Sequence, residues 1–145
     1  MARRTLGIFM AAGAASGLLA GLLLMDTSGG GIVYVEGPSI TVDTDRRDYQ
    51  RGDLVTAVIV NSGSVPLESD GSWGFRVTGL SGMLMYEAVG AGADVLEPGM
   101  RATVTWDQIK DDGDAALEGL YRISVEGYGP ERDPIRDSAT FSIWK

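Results

Sequence analysis

The sequence contains no cysteine and no histidine. Without cysteine the chain has no disulfide, no thiolate nucleophile and no thiolate metal ligand. Without histidine it also lacks the Ser-His-Asp and Cys-His catalytic arrangements, imidazole zinc sites and the usual general base near neutral pH. We therefore expect a protein that is not an enzyme and that carries no cofactor.

Basic residues are scarce, with 12 Lys and Arg against 20 Asp and Glu. Arg3 and Arg4 precede the first apolar run, whereas every acidic residue follows Met25. A surface this acidic repels phosphate backbones, which argues against a nucleic-acid partner. No residue pattern indicates a small-molecule substrate.

The chain from Leu6 to Met25 has neither charge nor proline. Twenty helical residues span about 30 Å, the thickness of a bilayer core. Arg3 and Arg4 precede the run and Asp26 follows it. The positive-inside rule then predicts a cytoplasmic N-terminus over residues 1–5, a single transmembrane helix over 6–25 and an extracytoplasmic C-terminal part. The alternative is a cleaved signal peptide, which exports the same domain.

Gly13, Gly17 and Gly21 recur every fourth residue within this run. Residues four apart lie on one helix face, so the glycines predict a groove that a second membrane helix can approach closely. The bilayer is thus one partner, and other membrane-protein subunits or a second copy of the chain are the expected protein partners.

Residues 26–38 are predicted to be a Gly-rich linker that carries one β-prone segment, Ile32, Val33, Tyr34 and Val35. This segment is either a first edge strand or a strand that adds to a neighbouring sheet.

From residue 39 to 145 the chain consists of short β-prone runs separated by Gly, Asn, Asp and Pro. Apolar and polar residues alternate in several runs, the period-2 pattern of strands with one buried face. The predicted strands are Ile40 to Thr44, Leu54 to Asn61, Trp73 to Leu80, Leu84 to Val89, Ala102 to Asp107, Leu120 to Gly127 and Ala139 to Trp144. We therefore predict a mainly β domain, an antiparallel immunoglobulin-like β-sandwich of about seven strands behind one transmembrane α-helix.

Turn residues fit this prediction. Gly52 is expected at positive φ, and Asp53 is expected to accept hydrogen bonds from nearby backbone amides. Leu96 to Gly99 has the Pro-Gly pair of a tight turn. Tyr121 is placed as in a tyrosine corner, in which the hydroxyl donates to an upstream backbone group.

Between Tyr49 and Glu126 the strings YQRGD, VTAVIVNSGSVPLE, WGFRV, LEPG, VTWDQ and EGLYRI resemble the immunoglobulin-like domains of prokaryotic exported proteins. They are similar to the domain of the intracellular proteinase inhibitor family. The resemblance implies the same fold and a role as a surface, adhesion or assembly module, with proteinase inhibition as an alternative.

Two groups of side chains are weaker site candidates. Asp107, Asp111, Asp112 and Asp114 offer oxygen ligands for Ca²⁺, but their spacing does not match the EF-hand loop, and a solvated acidic turn is the simpler interpretation. Of the tryptophans, Trp73 and Trp106 are predicted to lie in the core and Trp144 at the surface. No catalytic residue is predicted.

The function expected from these features is that of an accessory or assembly subunit of a membrane or cell-surface complex. One alternative is a surface filament or envelope subunit that pairs by strand addition. Another is an extracytoplasmic proteinase inhibitor.

Overall fold

The computed structural model describes residues 32–145. The chain divides into two compact units, 1–36 and 37–145, and only Ile32 to Glu36 of the first unit are described. The predicted anchor, Leu6 to Met25, lies outside the described residues, as do Gly13, Gly17 and Gly21. No helix long and apolar enough to span a bilayer occurs between residues 32 and 145.

The described residues form ten β-strands. In chain order they are β1 (Ile40–Thr44), β2 (Asp48–Gln50), β3 (Val55–Asn61), β4 (Leu67–Ser69), β5 (Arg76–Gly79), β6 (Leu84–Glu87), β7 (Asp94–Leu96), β8 (Arg101–Trp106), β9 (Gly119–Tyr128) and β10 (Pro134–Trp144). β-branched and aromatic residues, which favour the pleated backbone, dominate the longer strands.

The strands make two sheets. The smaller sheet has the order β1-β3-β8 and is antiparallel throughout. In the larger sheet, β9 pairs with β10 on one side and with β4 and β5 on the other. β7 extends from β4, β6 extends from β5, and β2 adds to β10 in parallel.

Both sheets bury one face in a common hydrophobic core, an arrangement consistent with a β-sandwich. The smaller sheet contributes Val55, Ala57 and Ile59, and the larger contributes Ile123 and Val125. Aromatic rings run through this core in the order Tyr49, Phe141, Tyr121, Trp106 and Tyr86, with successive centroids 5.6, 5.8, 6.4 and 6.0 Å apart. Such edge-on and stacked contacts add to the stabilisation from burial alone.

Several sequence predictions are confirmed. The first predicted strand matches β1, and Gly52 has a φ of +91°. Asp53 Oδ2 accepts from Gln50 N at 2.9 Å. Gly99 has a φ of +83°, in a turn that Met100 N closes on Glu97 O at 2.9 Å. Turn chemistry is local, so these positions follow from sequence alone.

Three details of the prediction were wrong. The domain has ten strands rather than seven in its described part, and the β2–β10 pair is parallel. The strand expected from Trp73 begins only at Arg76, because Trp73 and Gly74 take left-handed φ values of 53° and 58°. Hydrogen bonds from Trp73 N to Ser69 Oγ and from Trp73 Nε1 to Asp94 Oδ2, at 2.9 and 3.1 Å, hold that conformation.

The strands that were missed are the three shortest: β2, β4 and β7. Three residues are too few to show a period-2 pattern. These segments are strands because β2 pairs with β10, β4 pairs with β9, and β7 pairs with β4. The edge strand considered for Ile32 to Val35 is also not formed, because the first strand of the described residues begins at Ile40.

Candidate interaction surface

The second compact unit has two poles, defined by its central strand. The chain enters this unit at Gly37, where a Cβ built on Gly129 would lie 3.3 Å from Cβ of Pro38. Gly129 follows directly on the end of β9, whose start at Gly119 therefore lies at the opposite pole. At about 3.3 Å per residue, the ten residues of β9 separate the two poles by about 30 Å.

Exposed hydrophobic side chains concentrate at the pole opposite the chain entry. We call this set the distal surface; it comprises Leu54, Leu80, Met83, Leu84, Ile109, Leu117, Leu120 and Trp144, each 40–64% exposed. Single exposed hydrophobic residues are ordinary, but a contiguous group is not.

The pairing register brings the centre of the distal surface together. Gly79 lies opposite Tyr121, so the next residue, Leu80, comes beside Leu120 on the outer face. Leu120 lies opposite Ser142, two residues before Trp144, whose side chain is on the same face. Cross-strand and diagonal neighbours are close enough for large side chains to touch. Leu120 and Trp144 are thus diagonal neighbours on two strands, and Leu80 lies beside them in the turn that follows β5.

The loops that carry the distal surface are fixed by specific hydrogen bonds. Tyr121 Oη donates to Leu117 O at 2.6 Å, which confirms the predicted tyrosine-corner bond. Burial raises the pKa of Tyr121, so the hydroxyl keeps its proton across the physiological range. Gly79 N donates to Met83 O at 3.0 Å and closes the β5–β6 turn.

Gln108 ties a second pair of loops together and was not singled out from the sequence. It is 2% exposed and has a left-handed φ of 68°. Its Nε2 donates to Gln50 O and Asp53 O, both at 2.9 Å, and its Oε1 accepts from Gly52 N at 3.2 Å. One amide side chain therefore satisfies three backbone groups of the turn that follows β2.

A shallow pocket of about 400 Å³ adjoins the distal surface. Its lining residues are Leu54, Tyr86, Thr105, Trp106, Asp107, Ile109, Lys110 and Asp111. Trp106 is 2% exposed and donates from Nε1 to Ile109 O at 2.8 Å, which fixes the pocket wall. The pocket is open and mixed in polarity, and it suits one side chain of a protein partner better than an enclosed small molecule.

Of the four acidic residues considered for Ca²⁺, Asp107 and Asp111 line this pocket, and the carboxylates of Asp107, Asp111 and Asp112 accept hydrogen bonds from backbone amides. Asp107 accepts from Ile109 N at 3.0 Å, Asp112 from Asp114 N at 2.9 Å, and Asp111 from Glu87 N at 3.2 Å. The bond from Asp114 N, aided by Lys110, lowers the pKa of Asp112. Within residues 32–145 no three acidic side chains come together in a group able to hold a metal ion.

The tryptophans lie where the sequence predicted. Trp73 and Trp106 are buried, at 1% and 2% exposure, and Trp144 is 49% exposed. Of the three, only Trp144 belongs to the distal surface.

The Gly-rich stretch from Val89 to Ala93 has a packing role. A Cβ on Gly90 would lie 2.3 Å from Asp70 O, and Gly92 N donates to that same oxygen at 3.0 Å. Here two backbone segments touch directly, which only glycine permits.

The distal surface itself was not predicted, although each of its residues is visible in the sequence. The alternation in β9 marks Leu120 as outward-facing, but exposed residues of one strand do not reveal their neighbours. The register between β5, β9 and β10 supplies that information.

Comparison with known proteins gives no family for this chain. No family model and no curated protein matches it. Among solved structures, PorZ, a surface component of the type-IX secretion system of Porphyromonas gingivalis, is 17% identical over 72% of the chain with a TM-score of 0.40. The chain covers 11% of PorZ.

Two smaller structures align over nearly their whole length. The putative ApaA protein of Bordetella pertussis is 16% identical over 75% of this chain and 97% of its own, with a TM-score of 0.46. A superoxide reductase (neelaredoxin) from Ignicoccus hospitalis is 8% identical over 81% and 99%, with a TM-score of 0.42. At such scores and identities, these similarities carry no argument about the function of this chain.

Proposed function

We propose that the protein is a non-enzymatic, single-span membrane protein whose exported β domain is an accessory or assembly subunit of a membrane or cell-surface complex. The distal surface is the observation that carries this proposal. Leu80, Leu120 and Trp144 are 50%, 58% and 49% exposed, and the pairing register brings them to the same pole of the domain. Contiguous apolar side chains with a polar rim are typical of protein interaction sites.

Acidic residues border the distal surface, with Asp107 and Asp111 in the pocket beside Leu54 and Ile109, although Lys110 also lines that pocket. Interfaces of this kind bury an apolar centre and use the surrounding charges to choose and steer the partner. The proposed partner is therefore a protein with a basic surface around an apolar cleft.

The position of the distal surface on the domain suits a domain that is tethered at its N-terminal end. Because the chain enters the domain at Gly37, at the pole opposite this surface, the surface faces away from the entry point. The N-terminal segment then serves as the membrane anchor, with Gly13, Gly17 and Gly21 as its contact face for another membrane helix.

We also propose that the domain is immunoglobulin-like. Three features support this classification: a smaller β1-β3-β8 sheet, a larger sheet centred on β9 and β10, and the bond from Tyr121 Oη to Leu117 O. A short early strand that runs parallel to the last one, as β2 does beside β10, agrees with that arrangement. Such domains serve widely as binding modules, but the fold alone does not assign a function.

The test is partner capture with matched variants in native membranes. Leu120→Arg places a charge in the centre of the distal surface without touching the core, since Leu120 points outward. Val89→Arg is the control, because Val89 is 92% exposed and outside the distal surface. The protein is crosslinked in the membrane, extracted in mild detergent, and its neighbours are identified by mass spectrometry.

A partner is expected to be recovered with the unchanged protein and with Val89→Arg. With Leu120→Arg its affinity should fall about 30-fold or more, the loss typical of a central interface residue. Equal recovery with both variants would refute the role of the distal surface.

A further inference from the structure

The pocket beside the distal surface has an aliphatic wall and an aromatic wall. Leu54 and Ile109 form the aliphatic wall and are 52% and 40% exposed. Tyr86 and Trp106 form the aromatic wall, with ring centroids 6.0 Å apart and planes inclined by 28°. Tyr86 is only partly buried. A side chain with a long apolar stem and a flat polar end can pack against both walls.

Two carboxylates in this pocket have no cation to pair with. Asp107, Lys110 and Asp111 all line the pocket. Lys110 Nζ lies 3.6 Å from Oδ2 of Asp112, which is outside the lining, so the charge of the lysine is already matched. Among residues 32–145, neither Asp107 nor Asp111 forms an ion pair. One oxygen of each carboxylate accepts from a backbone amide, at 3.0 and 3.2 Å, and the other oxygen is left as an acceptor.

The walls of the pocket are held in place by hydrogen bonds of the domain itself. Trp106 Nε1 donates to Ile109 O at 2.8 Å, and Asp111 N donates to Met85 O at 2.9 Å. The loop that carries both carboxylates is therefore fixed to Trp106 and to β6. A site that is already ordered loses less conformational entropy when it binds.

The same domain shows how an arginine fits such surroundings. The guanidinium carbon of Arg46 lies 4.8 Å from the ring centroid of Tyr49, and its Nη1 lies 3.5 Å from Asp53 Oδ2. A guanidinium stacks on an aromatic ring and donates to carboxylates through a planar fork, whereas the ammonium of lysine is a compact point charge. The pocket offers the same grouping of a tyrosine ring and carboxylates, but its carboxylates have no guanidinium.

We propose that this pocket binds an arginine side chain of the partner protein. The stem of the arginine packs on Leu54 and Ile109. Its guanidinium lies over Tyr86 and donates to Asp107 Oδ2 and Asp111 Oδ1. This inference rests on the proposed function, because it names the residue by which the partner engages the margin of the distal surface. Arginine is among the residues that contribute most to protein interfaces.

The first experiment needs neither a variant nor the partner. Nα-acetyl-arginine amide is titrated into the full chain in a nonionic detergent, and the indole N–H signal of Trp106 is followed by NMR. Nα-acetyl-citrulline amide has the same length but a neutral urea group, and Nα-acetyl-lysine amide has the charge without the fork. We expect a saturable shift with the arginine amide and an affinity about fivefold lower for each of the other two.

The second experiment changes the charge of the pocket in both directions. Asp107→Asn combined with Asp111→Asn removes both charges but keeps an oxygen for each backbone amide, and should weaken binding of the arginine amide about fivefold. Asp114→Asn is the matched control, since Asp114 is in the same loop but does not line the pocket. Lys110→Gln removes a positive charge and should strengthen binding about twofold, which a damaged fold would not do.

Several results would overturn the proposal: no saturable shift with the arginine amide, equal affinity for the citrulline amide, tighter binding of the lysine amide, or an equal loss with Asp114→Asn. Leu120 does not line the pocket, so Leu120→Arg should leave binding of the arginine amide unchanged. If the arginine amide fails to bind while partner capture still depends on Leu120, the proposed function stands and this inference fails. The reverse pair of results would support the arginine pocket and refute the role of the distal surface.

Discussion

Replacing Gln108 is predicted to destabilise the domain strongly although the residue lies outside every long strand. Its amide makes three hydrogen bonds, to Gln50 O, Asp53 O and Gly52 N, at 2.9, 2.9 and 3.2 Å. Each is worth about 1 kcal/mol net, and the loss leaves their partners unsatisfied at a buried site. Gln108→Ala should therefore cost about 3 kcal/mol.

Backbone conformation supplies a second, opposing effect at the same position. Gln108 has a φ of 68°, and a Cβ in that region costs roughly 1–2 kcal/mol. Glycine avoids this cost but loses about 0.5–1 kcal/mol in chain entropy. Gln108→Gly should thus lose the same hydrogen bonds as Gln108→Ala yet be less destabilised, by roughly 0.5–1 kcal/mol.

Denaturant unfolding of the detergent-solubilised chain measures both effects, with the fluorescence of the buried Trp73 and Trp106 as the signal. Gln50→Ala is the matched control, since Gln50 is exposed and its hydrogen bonds are made by its backbone N–H and C=O, which alanine keeps. It should change the free energy of unfolding by less than about 0.5 kcal/mol. A loss below about 1 kcal/mol for Gln108→Ala, or alanine being better tolerated than glycine, would refute the reasoning.

Two further predictions concern packing and burial. Gly127→Ala should lower the free energy of unfolding by about 1–3 kcal/mol, because the added Cβ would lie 3.0 Å from Cζ3 of the buried Trp73. Gly79→Ala is the control and should lower it less, because its Cβ meets the flexible end of Met85 at 3.3 Å; thermal unfolding of both variants measures the difference. Burial and the hydrogen bond to Asp45 raise the pKa of Tyr49 from 10.0 to about 12. The protonated Tyr49 hydroxyl therefore stabilises the fold below pH 10, and this stabilisation is lost as the pH rises to about 12. Urea midpoints between pH 9 and 12 should fall more steeply for the unchanged protein than for Tyr49→Phe, and parallel pH profiles would contradict this assignment.

Much of the fold follows from local sequence. Tyr121, Ile123 and Val125 alternate with polar residues, and all three are at most 5% exposed. The turn at Gly99 and the bond from Tyr121 Oη to Leu117 O involve residues within a few positions of each other. Period-2 alternation and turn chemistry act over such short distances, so the sequence predicts them well.

Departures from prediction arise where distant parts of the chain meet. Trp73 continues an alternating pattern but takes a φ of 53°, because Ser69 and Asp94 bond to its backbone and its indole. The short strands β2, β4 and β7 exist only as partners of other strands. No pattern within three residues encodes such a partner.

The sequence by itself determined the β character of residues 39–145, the burial of Trp73 and Trp106 and the chemistry the chain lacks without cysteine and histidine. Only the tertiary structure decided that Leu80, Leu120 and Trp144 lie at one pole of the domain, and that Trp73 leaves the strand pattern. The physical reason is that side-chain alternation is a property of one strand, whereas strand order and register are set by contacts between residues far apart in sequence.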